Sequence, residues 1–310
     1  MQTVCEQQKQ ECTGMSIEDF IITVFCIIDD ELEKLLDGAK LRQRGRHTKL
    51  ADSEVITMEI VGEFLGNDCD KSIWEYFRGH WSHLFPIIPD RSNFARQAAN
   101  LHMVKKKLQE RLAINLGALA DSLHLIDGFP MPVCKFARAH FSRIFKGRAA
   151  YGYCATKKER YYGFHGHLVI SSIGVITAGT FTAANIDERD VCPELVEKMN
   201  GFLIGDKGFI RPALQKELES NGLYLQIPLR DNMKDDRPKK LLNWMKNTRR
   251  LIETVIGQLS ERFHIERVRT RDLWHEASRF WRKLLAHTVC LKINIELGNQ
   301  PLQFDKLIAY

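Results

Sequence analysis

The sequence lacks a Cys-x-x-Cys pair, a Gly-Lys-Ser/Thr phosphate loop, a His-Glu-x-x-His run and a Gly-x-Ser-x-Gly turn. These absences remove support for a dithiol or zinc-ribbon site, a P-loop NTPase, a zincin and a serine hydrolase. The eight cysteines (Cys5, Cys12, Cys26, Cys69, Cys134, Cys154, Cys192 and Cys290) are scattered, and they read as reduced thiols. No long apolar run is present either. The longest, Phe20 to Ile28, follows Glu18 and Asp19 and is too short for a bilayer, which needs about 20 apolar residues. The first residues are polar and mixed in charge, so no secretory leader is expected. The expectation is a cytoplasmic protein with no membrane partner. There is no internal repeat and no low-complexity tract.

What is present is an ordinary globular composition, 44% apolar and 27% charged, with a net charge of +6 that is unevenly spread. Residues 1–36 carry a net −6. Residues 40–49 hold Lys40, Arg42, Arg44, Arg46 and Lys49 with no acid. Residues 135–160 carry eight bases against Glu159 alone, and residues 229–250 carry eight against Asp231, Asp235 and Asp236. Each cluster alone is equally a solvated face; together they suit a polyanion such as nucleic acid.

Apolar spacing predicts a helix over 16–36, with Ser16 as N-cap and Gly38 near the far end. Further helices are predicted over 52–65, around Trp74, Tyr76 and Phe77, and from Ser92 to Leu116. The last has Lys105, Lys106 and Lys107 on its exposed side. The first 120 residues thus form a mainly helical region. A supporting bundle and a DNA-reading module both fit it.

From about residue 121 short apolar runs alternate with turn residues. A strand ends at Asp127, and a basic loop follows to about Arg160. A hairpin is predicted over Tyr162–Ser171 and Val175–Phe181. Then come a helix over 187–200, a strand Phe202–Gly205, a helix from Pro212 to Ser220, a strand Tyr224–Leu229, a helix holding Glu253 and a last helix over Leu273–Leu297. The order describes a mixed sheet flanked by helices in residues 121–300, with 301–310 as a tail.

Three carboxylates interrupt this apolar pattern. Asp127 closes Leu123-His124-Leu125-Ile126, Asp206 closes Phe202-Leu203-Ile204-Gly205, and Glu253 lies within Leu251-Ile252-Glu253-Thr254-Val255-Ile256. A buried carboxylate is costly unless paired, hydrogen-bonded or bound to a metal. Strand ends are where open α/β sheets bind ligands. On its helix, Glu253 falls in one polar stripe with Lys246, Arg249, Arg250, Gly257, Ser260 and His264. Hard cations such as Mg²⁺ take carboxylate and phosphate oxygens, and two such ions can serve an in-line displacement at phosphorus. Singly, each of these acids is an ordinary turn or surface residue.

The runs Leu-Ile-Asp127-Gly-Phe-Pro, Ile-Gly-Asp206-Lys-Gly-Phe and Arg249-Arg250-Leu-Ile-Glu253-Thr-Val-Ile-Gly-Gln-Leu resemble the three catalytic motifs of bacterial insertion-sequence DDE transposases. More narrowly they resemble insertion-sequence family 982. Tyr162-Gly163-Phe164-His165-Gly166-His167 suits the second strand of such a core, although the family more often carries Lys where His165 stands. The resemblance covers roughly 120–300. It implies an RNase H-like catalytic domain in which Asp127, Asp206 and Glu253 are catalytic and hold two Mg²⁺ or Mn²⁺ ions. It further implies cleavage and strand transfer on double-stranded DNA, namely the element's terminal inverted repeats and the target, with nucleoid association when DNA is bound. The helical region 1–120 would bind the element's ends. Joining two ends suggests a homodimer in the DNA complex. Many such transposases carry Lys seven residues after the Glu; here that position is Ser260, so no DNA contact carries over to it.

Lys207, Arg249 and Arg250 beside the carboxylates suit phosphate contacts. Trp244 among Lys239, Lys240 and Lys246 suits stacking on an exposed base. His167 fits a structural or DNA-facing role, and Lys105 and Lys106 fit DNA contact from the helical region. Trp274 and Trp281 read as core, Asp187 as a helix N-cap and Asp190 as its first turn. Three other readings stay open: a two-metal nuclease that does not join, a silent DNA-binding protein on the same fold, and, distantly, a polysaccharide hydrolase.

Overall fold

The computed structural model describes residues 14–42, 44, 48–155, 157–229, 233 and 235–309. Cys5, Cys12, Glu6, Lys9, Glu11, Arg46, Arg230, Asp231 and Lys234, which figured in the thiol and charge expectations, lie outside the described residues. Five helices open the fold: α1 (Ile17–Leu36), α2 (Asp52–Phe64), α3 (Asp70–His80), α4 (Arg91–Asn100) and α5 (His102–Asn115). The hydroxyl of Ser16 accepts from the Asp19 amide, the cap the sequence predicts.

The single helix expected from Ser92 to Leu116 is broken at Leu101. At the break the carbonyl of Ala98 accepts from the Leu101 amide at 3.2 Å and has a further lone pair to offer. Lys105 Nζ at 3.0 Å and Ser278 Oγ at 3.1 Å donate to it as well. Lys105 is therefore not on an exposed side. It is fully buried and also donates to both oxygens of Glu59. Its expected role as a DNA contact is corrected to one in the core. Lys106 does lie at the surface, near Glu110 and over the Trp281 ring.

The sheet follows. It comprises β1 (Leu123–Lys135), β2 (Ala150–Cys154), β3 (Glu159–Ser171), β4 (Ile176–Ala183), β5 (Gly201–Ile204) and β6 (Leu223–Gln226). Strand order is β2-β3-β1-β5-β6, and β4 pairs with the second half of β3. The β1–β3 and β3–β4 pairings are antiparallel, while β1–β5 and β5–β6 are parallel. A short helix α6 (Phe136–Ala139) follows β1, and α7 (Glu188–Val196), α8 (Pro212–Ser220) and α9 (Lys239–Glu261) are interleaved with the later strands. The final long helix is α10 (Leu273–Glu296). This is the mixed sheet flanked by helices that the sequence implies.

The expected turn after Asp127 is absent. β1 runs on to Lys135 through Pro130 and Pro132. A central strand cannot lose two ladder donors, but the parallel partner β5 reaches only Leu123–Leu125 of β1. Beyond it one edge of β1 has no strand partner among the described residues. Two prolines two positions apart turn their missing donors to the same edge, where none is needed.

Alternation then assigns the faces. Leu125 joins a core shared with α2, α5, α9 and α10, whereas Ile126 joins Val169, Leu203 and Leu225 under α7 and α8. The helical layer is built from both ends of the chain, because α10 lies against α2, α4 and α5. An ionic network seals that contact. Arg282 reaches Glu63, Glu59 and Asp70, and Lys283 reaches Glu63 and the carbonyl of Phe263. Trp281 is buried as predicted, but Trp274 is 51% exposed and stacks edgewise on His102, not in the core. No helix among the described residues is long and apolar enough to cross a membrane.

Candidate active site

The parallel register of β1 and β5 places two of the three carboxylates together. Leu125 pairs with Ile204, so Asp127 and Asp206 follow two positions later on neighbouring strands, where β5 has just ended. Asp206 Oδ1 accepts from the Gly208 amide at 2.7 Å and caps a short turn, Lys207–Phe209. Asp127 Oδ1 accepts from its neighbour, the Gly128 amide, at 2.8 Å.

Across from them runs α9. Its apolar face buries Ile252, Val255 and Leu259, which turns Arg249, Glu253, Gly257 and Ser260 toward the strands. These residues, together with His264, Asp127 and Asp206, line one cleft of about 950 Å³. Glu253 is exposed on the cleft wall and not buried in the apolar pattern around it. Ser260 donates to Glu266, whose carboxylate also pairs with Lys157.

The electrostatics centre on Asp127. Its carboxyl pKa is raised to about 6 in all, burial being the largest cause. The Gly128 amide and the Arg249 guanidinium pull it down, and the charges of Asp206 and Glu188 push it up again. The offset from Arg249 is loose, with Nη2 at 3.5 Å from Oδ2 and Nε without a hydrogen-bond partner. Carboxylates crowded together and under-compensated are the donor set and the charge that suit a hard divalent cation. Among the described residues no three His, Cys, Asp or Glu side chains converge on a single point close enough to hold one ion. Asp127 and Asp206 are the two carboxylates that the strand register brings together, and Glu253 lines the same cleft from the helix.

The other residues singled out in the sequence divide. Lys207 is exposed beside Asp206. Arg250 and Trp244 are exposed on α9 but do not line the cleft; Trp244 belongs to the helix and not to a loop. His167 is buried and bonded to the Thr182 hydroxyl at 2.9 Å, so a DNA-facing role is corrected to a structural one. Burial also depresses its pKa to about 4, keeping it neutral. Asp187 caps α7 and Asp190 lies in its first turn, as predicted.

Glu188 is what sequence reasoning missed. It sits between those two aspartates, and its Oε1 lies 2.7 Å from His165 Nε2. Both reach the backbone beside Asp127: a Cβ added to Gly128 would lie 2.2 Å from His165 Nε2 and 2.6 Å from Glu188 Oε1. The signal available in the sequence was a third acid at the start of that helix, with nothing there to link it to Gly128.

Residues 118–273, just over half of the chain, match the family model described as a transposase DDE domain. The fold is similar to that of piggyBac transposase in the cryo-EM structure of its synaptic complex with hairpin DNA. The TM-score is 0.50 and the identity 10%, over 96% of this chain and 80% of that one. No curated protein matches the chain. With Asp127, Asp206 and Glu253 lining one cleft inside the matched region, the chain belongs to the transposase DDE domain family.

Proposed function

We propose that this transposase cuts double-stranded DNA at the terminal inverted repeats of an insertion sequence of family 982 and joins the freed 3′ ends to target DNA. What supports this reading most is the gathering of the three motif carboxylates in one cleft, around an Asp127 short of positive charge. Asp127, Asp206 and Glu253 would hold two Mg²⁺ or Mn²⁺ ions, which when bound supply Lewis-acid activation of the attacking oxygen and of the scissile phosphate. Asp127 and Asp206, fixed by backbone amides on adjacent strands, give the site its rigid side. Arg249 and Lys207 take phosphate oxygens, and Arg249 is free to swing because its hold on Asp127 is loose. Glu188 and His165 fix the backbone beside Asp127.

The helical region 1–120 binds the element's ends, and residues 121–300 act on them. Two copies of the chain bring two ends together; the similar piggyBac transposase fold was seen in a synaptic complex with hairpin DNA. The setting is the bacterial cytoplasm, at the nucleoid. The experiment is a cleavage and strand-transfer assay on labelled element ends. Asp127→Asn should abolish both reactions and leave end binding nearly intact. Cleavage retained by that variant would refute the assignment, and cleavage by the natural chain without joined product would reduce it to a nuclease.

A further inference from the structure

Between β1 and β3 four large rings stand in water. Phe136, Phe141, Tyr151 and Tyr153 are 48, 83, 52 and 60% exposed. Single exposed apolar groups are ordinary, but several within one short segment mark an interaction surface. Tyr151 and Tyr153 alternate with Gly152 and Cys154 on β2, so both rings share one face of the strand. The Phe136 ring lies 5.5 Å from that of Tyr151. Opposite Tyr153 on β3 stands Arg160, also exposed, which puts a guanidinium on the same face.

Two features say what covers this face. The first is charge, since the segment 135–160 carries eight bases and one acid. The second is continuity. Cys154, at the end of β2, and Lys157 just beyond it line the catalytic cleft. Cys154 itself alternates to the other face of β2, but the β3 register carries the rings to Asp127's side of the sheet. Tyr151 and Tyr153 stand opposite Tyr162 and Arg160, and Asp127 opposite Leu168, all on one face of β3. Side chains two apart on a strand lie about 6.6 Å apart. That is close to two steps of the ~3.4 Å spacing between bases along a DNA strand. Paired bases in a duplex hide their faces, whereas unpaired ones expose them to stacking.

We propose that the face formed by Phe136, Tyr151, Tyr153 and Arg160 binds unpaired nucleotides at a DNA strand end and feeds that strand into the cleft. The proposal rests on the DNA-cleaving reading above and specifies the form of DNA the cleft receives.

The test uses the full chain in EDTA and fluorescence anisotropy with labelled DNA, either a blunt duplex or one with a short 3′ single-stranded overhang. The overhang should be bound about tenfold more tightly. The double variant Tyr151→Ala/Tyr153→Ala should lose that preference, and Tyr151→Phe/Tyr153→Phe should keep it. A natural chain with no overhang preference overturns the proposal, as does an alanine variant that retains it. Self-association lost in the alanine variant would instead assign the face to a second copy of the chain. Photo-crosslinking of 5-iodouracil in the overhang to the natural protein needs no variant to fold. Adducts should map to Phe136, Tyr151 or Tyr153, and adducts only elsewhere refute the idea. Binding in EDTA is independent of cleavage, so Asp127→Asn should keep the preference. Cleavage by that variant would remove the active-site reading and leave this one standing.

Discussion

Arg249 on α9 leans on Asp127 on β1 with 3.5 Å between Nη2 and Oδ2, a contact between residues 122 positions apart in the chain. The distance is too long for a strong charge-assisted bond, which closes to about 2.7–2.9 Å. The guanidinium therefore lowers the charge at Asp127 without being committed to it. Replacing Arg249 with Ala should weaken binding to DNA ends about tenfold. It should also reduce the slope of log affinity against log salt by about one, as removal of one phosphate contact does. Anisotropy titrations across a salt series measure both. An unchanged slope would place Arg249 off the DNA.

Asp127 gives a stability prediction with a definite sign. Its folded pKa of about 6 lies above the ordinary carboxyl value of 3.8. The protonated form is thus favoured in the fold, and stability present at low pH is lost as pH rises through 6, on the order of 3 kcal/mol in all. Asp127→Asn should raise the melting temperature at pH 7.5 in EDTA by a few degrees. Added Mg²⁺ should raise that of the natural chain and leave the variant's unchanged. A variant that melts lower in EDTA would contradict this account.

The ionic network predicts a cost and its rescue. Lys105→Ala strands Glu59 in the core with Arg282 as its remaining partner, and should destabilise the fold by about 3–5 kcal/mol in urea unfolding. Changing both partners to apolar residues of similar size should recover most of that loss. If Lys105 acted on DNA instead, Lys105→Ala would weaken binding and leave unfolding unchanged.

His287 acts in the opposite sense to Asp127 over the same pH range. It is fully buried, paired through Nε2 with Gln258 at 3.0 Å and without a partner at Nδ1. Burial holds its pKa near 3, below the ordinary imidazole value of 6.5. The unfolded chain takes up the proton first, so stability falls as pH drops below about 6.5, by about 3 kcal/mol at pH 4.5. Urea midpoints between pH 7 and 4.5 should fall less steeply for His287→Gln than for the natural chain.

Gly163 predicts a steric failure. A Cβ there would lie 2.3 Å from the carbonyl oxygen of Met131, a backbone atom that cannot swing aside. Gly163→Ala should destabilise the β1–β3 pair by about 1–3 kcal/mol. The same change at Gly257, where nothing lies within 4 Å, should leave the melting temperature unchanged or raise it.

The parts legible in the sequence were local ones. Ser16 and Asp187 announce their helices through capping chemistry, and the spacing of Arg249, Glu253, Gly257 and Ser260 announces which face of α9 meets the cleft. What escaped depends on partners far away in the chain. Nothing near Lys105 says that Glu59 and Ser278 await it, so a triple lysine reads as surface. Nothing near Pro130 says that β5 stops at Ile204, so a proline-bearing run reads as a loop. Glu188 looked like an ordinary helix-opening acid until β3 brought His165 to it.

The buried charges also set an order in time. Glu63 waits for Arg282, which lies 219 positions downstream, so the helical layer cannot close until α10 has been made. A product cut short before α10 keeps Glu63 in its interior without Arg282 or Lys283, the cations that meet it. Such fragments would be cleared as misfolded chains and would not persist beside the full-length protein.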